Sequence, residues 1–404
     1  MAYAKPNSMP QVADGDLFAV SLIRAYWPMY LLVAALSVLA HVIWSITIGP
    51  APSTDYGVVY DPAAMAVLRW IGGDALPAGM LSSYGWSHIG YIAFIAFCYG
   101  TFGEGSLNAV IYTQAAIVWL IYPLLFHILL YVSKKPQLAL AATLIYQTFY
   151  DGYLWHFWAV PDSIYRLLFL STFFVLLRLW QVERKLAFAS VTGLFLIVGS
   201  TFRIETVLYA MPAIVISLTF LICRSKAAVI GISLLLAVLV SVAHDKIFAI
   251  LNVFWNFQAK GIIFEGLGYH VAGLTYLQSP TDSSVVGWGW HLVKLFATRV
   301  YYAITPFPEF WSVSHKIVYA LYAIPAYVFL AFGLSDACKR ADKVYFAFAW
   351  VFFAGLLLRG LAHVDPPMRY GYTPQLFLFL CAALGFPSFM AVIRSRLSSA
   401  PNAR

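Results

Sequence analysis

The sequence predicts an all-α polytopic membrane protein, and composition is the first reason. Of the 404 residues, 62% are apolar and only 10% are charged, whereas about 25% of the residues of a soluble domain are charged. The chain contains about ten stretches of roughly 20 apolar residues, the length that a helix needs to cross a bilayer. Aromatic residues make up 17% of the chain, which is typical of a protein anchored at two membrane interfaces. The continuous apolar runs argue against a transmembrane β-barrel.

The apolar runs predict ten membrane spans. Two further stretches, 86–102 and 291–307, are also apolar. The positive-inside rule requires the basic clusters between spans to lie on one side of the membrane, and they do so only if these two stretches do not cross. We therefore expect both stretches to be re-entrant or interfacial helices on the outer side. The predicted spans are 28–49, 106–133, 137–150, 163–182, 186–201, 205–223, 227–244, 315–336, 344–362 and 372–393.

The distribution of charge predicts that both termini lie inside. With this topology, the inner side holds most of the 25 Lys and Arg residues and fewer than a third of the 17 Asp and Glu residues. The net charge of +8 therefore reflects the membrane topology and does not indicate binding to nucleic acid. We expect one transmembrane domain over residues 1–404, in which two long outer segments, 50–105 and 245–314, cap a site that faces outward.

Several familiar site motifs are absent from the sequence. There is no G-x-x-x-x-G-K-[ST], no H-E-x-x-H and no G-x-S-x-G, so ATP-driven transport and metallopeptidase chemistry have no support. The four cysteines are scattered along the chain, and neither a disulfide framework nor a zinc site is predicted.

Two carboxylates of the first outer segment are candidates for a functional role. Asp55 follows the first span by a few residues, and a carboxylate there can act as a general base on an acceptor hydroxyl. A capping role for Asp55 is equally open. Asp61 stands directly before Pro62, which favours an N-cap followed by proline at the first helical position.

Three further outer loops carry charged residues. Asp162, with Arg166 one turn later, is either a second acid of the site or an N-cap with an i,i+4 partner. Arg203 and Glu205 are costly if they face lipid, so they either face an internal cavity or pair with each other. Arg369, before the last span, suits bidentate contact with phosphate but can also be an interface anchor. The large segment 245–314 adds Lys260 and His270.

Taken in order along the chain, these residues resemble the GT-C superfamily of integral-membrane glycosyltransferases. Enzymes of this superfamily take a sugar from a polyprenyl-phosphate or polyprenyl-diphosphate carrier on the outer membrane face. The resemblance covers nearly the whole chain and depends on the order, spacing and common outer placement of the motifs. The matching residues are Asp55-Tyr56 through Tyr60 and Ala63, Gly90-Tyr91 through Phe102-Gly103, Gln114, Pro161-Asp162-Ser163, Arg203, Glu205 and Pro212, and Arg369-Tyr370 with Pro374.

The resemblance implies a GT-C-like bundle of about ten transmembrane helices with juxtamembrane helices on the outer face. It gives Asp55 the role of catalytic base, and Arg203 and Arg369 that of binding the carrier phosphate. Members that use a metal often show paired acids in the first loop, and this chain has no D-x-D. A divalent metal is thus conceivable but has no ligand motif. The expected substrate-binding residues are Asp162, Glu205, Tyr370, Lys260 and His270.

The expected function is transfer of a sugar, with inversion, from a polyprenyl-phosphate carrier to an acceptor hydroxyl. The partners would be that lipid-linked donor, the surrounding membrane lipid and a glycan, glycolipid or protein acceptor. The expected location is a bacterial inner membrane, with the site facing the periplasm. Two alternatives stay open. One is an O-antigen polymerase or ligase, and the other is a secondary transporter or flippase, although charges here crowd the ends of the spans rather than their centres.

Overall fold

The computed structural model shows an almost entirely helical chain. It describes residue 16 and residues 18–53, 55–75, 88–149, 153, 155–203, 205–224, 284–305, 312–362 and 372–399. Within these ranges there is no strand, and the only β-type pairing is an isolated parallel bridge between Ala51 and Trp158. The helices are α1 (Val20–Thr47), α2 (Asp61–Ile71), α3 (Ile89–Phe102), α4 (Leu107–Val118), α5 (Ile121–Ser133), α6 (Pro136–Gln147), α7 (Asp162–Gln181), α8 (Lys185–Phe202), α9 (Thr206–Tyr209), α10 (Met211–Arg224), α11 (Val285–Ile304), α12 (Val313–Arg340), α13 (Lys343–Ala362) and α14 (Tyr372–Ser399), with a π-helical segment at Tyr56–Tyr60 and a 3₁₀ turn at Trp155–Phe157.

Six helices of the described residues are long and apolar enough to cross a membrane. This confirms the prediction of a helical protein with membrane character, whereas the number of ten spans stays a prediction. The joined helices α4 and α5 count as one candidate because only Trp119 and Leu120 separate them. The six candidates are Val20–Thr47, Leu107–Ser133, Asp162–Gln181, Lys185–Phe202, Lys316–Arg340 and Thr373–Ser398.

Helix α1 begins at Val20 rather than at residue 28, where the first span was predicted. The reason is a local cap, since the Asp16 carboxylate accepts hydrogen bonds from the backbone N–H groups of Val20 (2.8 Å) and Ser21 (3.0 Å). These groups have no partner within the first turn of a helix, so an acidic cap stabilises the start. Tyr26 has non-helical dihedrals just before Pro28 inside the helix, which is where a proline kink is expected.

Helix α6 is shorter than the span predicted at 137–150. It has 12 residues, and at 1.5 Å per residue it is about 18 Å long, less than the roughly 30 Å of a bilayer core. The chain continues toward α7 through the 3₁₀ turn at Trp155–Phe157 and the non-helical residues that follow it. Buried non-helical backbone must find its hydrogen bonds inside the protein.

Contacts divide the chain into two compact units, residues 1–214 with 383–404 and residues 215–382. In the first unit, one end is formed where the start of α1 meets the ends of α5 and α7. There Arg178 donates to the Tyr131 hydroxyl (2.7 Å) and to the Asp16 carbonyl (2.9 Å). We call it the Arg178 end. The turns after α5 and α7 add Lys134, Lys135, Arg184 and Lys185 to this end.

The second unit is held together by close helix packing at glycines. A Cβ atom at Gly333 would clash with the Tyr345 hydroxyl, and one at Gly360 would clash with the Phe296 ring. The Tyr345 hydroxyl also donates to the Leu330 carbonyl (3.1 Å). Small residues at such contacts let apolar helices approach closely, as in membrane proteins generally.

Candidate functional site

The centre of the candidate site is a buried ion pair between α7 and the end of α8. The Arg203 guanidinium hydrogen-bonds the Asp162 carboxylate, and each side chain is only 8% exposed. Glu205 lies 3.8 Å from the other guanidinium nitrogen and is 12% exposed. One cation thus faces two carboxylates, so this group carries a formal charge of −1. Asp162, Arg203 and Glu205, all singled out from the sequence, are brought together.

The end of α8 is tied to α7 by a second set of contacts. The Thr206 hydroxyl lies 3.0 Å from the Tyr165 hydroxyl and 2.6 Å from the Arg203 carbonyl. Gly199 lets α8 pass close to this threonine, because a Cβ at Gly199 would lie 2.7 Å from the Thr206 methyl group. The loop that carries Arg203 is therefore held on both sides.

The interpretation of Asp162 as an N-cap is wrong. Asp162 is the first residue of α7, its predecessor Pro161 occupies the cap position, and no side-chain cap hydrogen bond forms. Arg166 is fully buried and donates to the Tyr146 hydroxyl of α6 (3.4 Å). Asp162 forms its ion pair with Arg203, 41 positions away, rather than with its i,i+4 neighbour. The second oxygen of Asp162 is buried without a hydrogen-bond partner among the described residues.

The first outer segment docks on the backbone that leads into α7. Ala51 donates to the Phe157 carbonyl (3.0 Å) and accepts from the Ala159 N–H (3.1 Å). The Ser53 hydroxyl donates to the Ala159 carbonyl (2.8 Å) and accepts from the Tyr56 N–H (3.0 Å). The segment that carries Asp55 is therefore fixed to the segment that carries Asp162. We call this side of the first unit the Asp162 end.

Asp55 stands at the start of the π-helical segment Tyr56–Tyr60. It is partly exposed and makes no side-chain cap hydrogen bond to that segment, so the capping role that the sequence left open is not the one observed. π-Helical turns are rare and occur frequently at functional sites. Asp55 is therefore a partly exposed carboxylate on such a turn, in a segment that docks on the backbone leading into α7, and it is available to meet a ligand.

The segment after Asp55 is held by a buried pair of tyrosines. The Tyr56 hydroxyl hydrogen-bonds the Tyr99 hydroxyl, and Tyr99 donates to the Asp61 carboxylate. Burial raises the pKa of Tyr56, which the Tyr99 hydroxyl partly offsets. The predicted N-cap role of Asp61 is wrong, since α2 continues directly from the π-helical segment and Tyr60 occupies the cap position. Asp61 instead anchors α3 to the first outer segment.

Gln114, noted in the sequence for its early place in a span, fixes the non-helical backbone before α7. It is fully buried, and its amide nitrogen donates to the carbonyls of His156 (3.1 Å) and Trp158 (2.9 Å). Its amide oxygen accepts from the Tyr91 hydroxyl (3.0 Å). Both donors of the amide are thus used on main-chain carbonyls that lack helical partners.

The sequence analysis missed a buried histidine pair beside this backbone. The rings of His41 of α1 and His156 are nearly parallel, with planes at 11° and centroids 4.9 Å apart, and a 2.8 Å hydrogen bond joins their facing ring nitrogens. Burial, together with His41 and the Arg166 cation, holds the pKa of His156 well below its usual range. His41 could have been found by a general rule, since an ionisable residue within an apolar helix usually faces the protein interior.

Four predicted site residues lie outside the described residues. They are Arg369, Tyr370, Lys260 and His270, and their predicted roles stay predictions. Within the described ranges, no three His, Cys, Asp or Glu side chains form a group that could hold a metal ion. The site as described therefore rests on Asp55, Asp162, Arg203 and Glu205.

Comparison of the chain with protein-family models, curated proteins and solved structures returns no match.

Proposed function

We propose that this protein is a membrane glycosyltransferase that moves a sugar from a polyprenyl-phosphate carrier to an acceptor hydroxyl. The observation that carries the proposal is the buried Asp162–Arg203–Glu205 group at one end of a bundle of apolar helices. The segment that carries the partly exposed Asp55 docks on the backbone that leads into Asp162. The GT-C resemblance assigns these residues to one site, and the observed contacts bring Asp162, Arg203 and Glu205 together.

The charges of the first unit support the outward placement of this site. The Asp162 end carries Asp55, Asp61, Asp162 and Glu205 against Arg69, Arg166 and Arg203, whereas the Arg178 end is rich in Lys and Arg. The positive-inside rule assigns the basic end to the cytoplasm. We therefore keep the topology of ten spans with both termini inside, and place the site at the periplasmic face of a bacterial inner membrane.

The proposed reaction needs one base and one site of positive charge. The Asp55 carboxylate takes the proton of the acceptor hydroxyl while the acceptor oxygen attacks the anomeric carbon. The bond from this carbon to the carrier phosphate breaks, the sugar passes through an oxocarbenium-like state, and the lipid phosphate leaves with the electron pair. A phosphate needs no general acid, and a preorganised cation stabilises the charge that it gains.

The contacts of Arg203 divide the cationic roles between the two arginines. Because Arg203 already faces Asp162 and Glu205, a phosphate placed there would meet a group of formal charge −1. We therefore propose that this group binds hydroxyl groups and orients the substrate, and that Arg369 is the first ligand of the carrier phosphate. Arg203 would contribute to phosphate binding only at the expense of its contact with Glu205.

The experiment that tests the proposal measures binding of undecaprenyl phosphate to the purified protein in lipid nanodiscs. We expect Arg369→Ala to weaken binding by about tenfold or more, since a charge-assisted hydrogen bond is lost. The matched control is Arg340→Ala, because Arg340 is exposed and pairs only with its neighbour Asp336 in α12. If the wild type does not bind undecaprenyl phosphate, or if both variants lose binding equally, the carrier lipid is excluded as the ligand of this site and the proposed reaction is excluded with it.

One observation favours a second candidate, a secondary transporter. The helix α6 stops short, α4 and α5 are interrupted, and buried polar groups of Gln114, His41 and His156 gather beside these breaks. Transporters place their substrate sites at such discontinuous helices. Uptake of a labelled sugar or lipid into proteoliposomes, dependent on the protein and independent of any acceptor, would favour transport.

A further inference from the structure

The hydrogen bonds of His41 fix the positions of the protons in the histidine pair. Its Nδ1 lies 2.8 Å from the Ser37 carbonyl, and because a carbonyl oxygen only accepts, this nitrogen carries the proton. In a neutral ring the Nε2 is then bare, so it accepts the 2.8 Å hydrogen bond from the Nδ1–H of His156. The order of donors runs from His156 to His41 to Ser37.

The same logic leaves the Nε2 of His156 as a bare acceptor. A neutral imidazole with a proton on Nδ1 has a lone pair on Nε2. This atom is buried and has no hydrogen-bond partner among the described residues, and His156 as a whole is fully buried. A proton taken up by the pair would therefore bind at this nitrogen.

The surroundings of the pair penalise that proton. The rings of Tyr122 from α5 and Tyr153 pack against both histidines. Neither tyrosine supplies a negative charge at neutral pH, and burial raises the pKa of Tyr153 to about 12. The charged group that acts on His156 is the Arg166 guanidinium of α7, which is itself fully buried. A second cation beside it, without an acceptor for the new N–H, is expensive in a buried site.

The backbone at His156 connects the pair to the candidate site. The His156 and Trp158 carbonyls are held by Gln114, and the neighbouring Phe157 and Ala159 are bonded to Ala51. Asp162 follows three positions after Ala159. Displacement of the His156 ring would therefore loosen the segment that leads into Asp162 and the docking of the segment that carries Asp55.

We propose that His41 and His156 are positioning residues, a neutral pair with ordered protons that holds residues 156–161, and that uptake of one proton at His156 Nε2 releases this segment. The inference rests on the proposed function only in treating Asp162 as part of a substrate site. The ligand of the pair itself is a proton, which binds at His156 Nε2.

The test measures hydrogen–deuterium exchange of peptides that cover residues 155–162, corrected for the intrinsic pH dependence of exchange. In the wild type we expect these peptides to be protected at pH 7.5 and their protection factor to be about tenfold or more lower at pH 5. The reason is that one pKa unit corresponds to a tenfold change in a protonation equilibrium. His156→Asn keeps a donor where Nδ1 stands but cannot take up the proton, so its segment should stay protected at both pH values. The control His127→Asn changes another buried histidine, bonded to Tyr30, and should respond to acid as the wild type does.

Two results of the exchange experiment would overturn the proposal. One is equal protection of the wild-type segment at both pH values, and the other is loss of protection in His156→Asn at pH 5. Nitrogen-15 NMR of histidine-labelled wild type in liposomes gives a readout that needs no variant to fold. At pH 7.5 it should show two neutral imidazoles with the proton on Nδ1, and a proton on Nε2 of His156 would equally overturn it. Neither measurement uses a sugar or a carrier lipid, so failure here is distinct from failure of the proposed function.

Discussion

Arg203 and Asp162 form a buried ion pair across 41 positions of the sequence, at the point where α8 ends and α7 begins. The pair closes a helical hairpin at its open end, opposite the short turn that joins α7 to α8. It also gives a charged residue next to an apolar helix a partner within the protein, as intramembrane and juxtamembrane charges generally require.

Removal of either partner of this pair should destabilise the protein strongly. Asp162→Asn and Arg203→Gln each leave a buried charge with weaker compensation, at a cost of about 3–5 kcal/mol. The double variant should lose less than the sum of the single losses, because neither charge is then left alone. Unfolding by denaturant in detergent micelles measures all three variants. Strict additivity would show that the two side chains do not interact in the folded protein.

Gln114→Leu should destabilise the protein more than a comparable change elsewhere. It removes the side-chain donor of the His156 carbonyl and leaves the Trp158 carbonyl with only the Val160 N–H (2.9 Å), and an unsatisfied buried group costs about 1–3 kcal/mol. The control is Gln147→Leu, since Gln147 donates a single hydrogen bond, to the Val33 carbonyl (3.1 Å). Thermal unfolding should place the Gln114 variant below the control, and the reverse order would contradict the role of Gln114 as the main support of this backbone.

Two glycines of α8 should respond to alanine in opposite directions. At Gly193 no heavy atom lies within 4 Å of the new Cβ, so alanine should stabilise the helix by about 0.5–1 kcal/mol. At Gly199 the Cβ would lie 2.7 Å from the Thr206 methyl group and 3.0 Å from the Phe195 ring. Overpacking of this kind costs about 1–3 kcal/mol. Melting temperatures of the two variants measure the difference, and equal shifts would refute the close approach of Thr206 to α8.

The stability of the protein should fall as the pH drops below about 6.5, and part of the fall should come from His156. Its pKa is lowered by burial in the folded state, so in the window between that lowered pKa and the unfolded value of about 6.5 only the unfolded chain takes up the proton. Protonation then favours unfolding, by about 1.4 kcal/mol per pH unit for one group. Above the unfolded pKa the contribution vanishes.

The change His156→Asn isolates this effect. The difference in unfolding free energy between wild type and variant should be constant from pH 7 to 8 and should shrink as the pH falls from 6.5 to 5, because the variant has no proton to gain at this position. Denaturant titrations at four pH values provide the comparison. A difference that stays constant over the whole range would mean that His156 binds its proton equally well in both states.

Asp55→Asn should abolish sugar transfer without unfolding the protein. Loss of a general base lowers the rate by about 10²–10⁴-fold, whereas asparagine keeps the size and one acceptor oxygen of the partly exposed Asp55 side chain. Asp74→Asn is the control, because Asp74 is an exposed acid of the same outer segment. Turnover of a polyprenyl-phosphate sugar donor, measured beside melting temperature, tests the prediction. Wild-type turnover in Asp55→Asn would exclude Asp55 as the base.

The helices could be predicted from the sequence better than their ends. The predicted spans at 106–133, 163–182 and 186–201 coincide closely with α4–α5, α7 and α8, since hydropathy is a local property. The start of α1 was missed because the cap at Asp16 lies outside the apolar run. The end of α6 was missed because apolar residues continue beyond the point where helical geometry stops.

The candidate site was predicted residue by residue, but only one of its contacts was. The pairing of Arg203 with Glu205 was among the predicted alternatives and is observed at 3.8 Å, whereas Asp162 was given Arg166 as its partner and meets Arg203 instead. Asp61 before Pro62 has the pattern of an N-cap, but an unbroken π-helical segment before α2 leaves no cap to make. Local patterns describe what a side chain can do, whereas the partner that it meets depends on the packing of distant helices.

The sequence by itself determined that the chain is helical and directed to a membrane, and it identified the acids and arginines available for chemistry. These properties follow from the type and spacing of neighbouring residues. Only the tertiary structure decided that Arg203 belongs to Asp162 and that His41 belongs to His156, over separations of 41 and 115 positions. Buried polar groups must be paired to offset the loss of water, and which pairs form is decided only when the helices have packed.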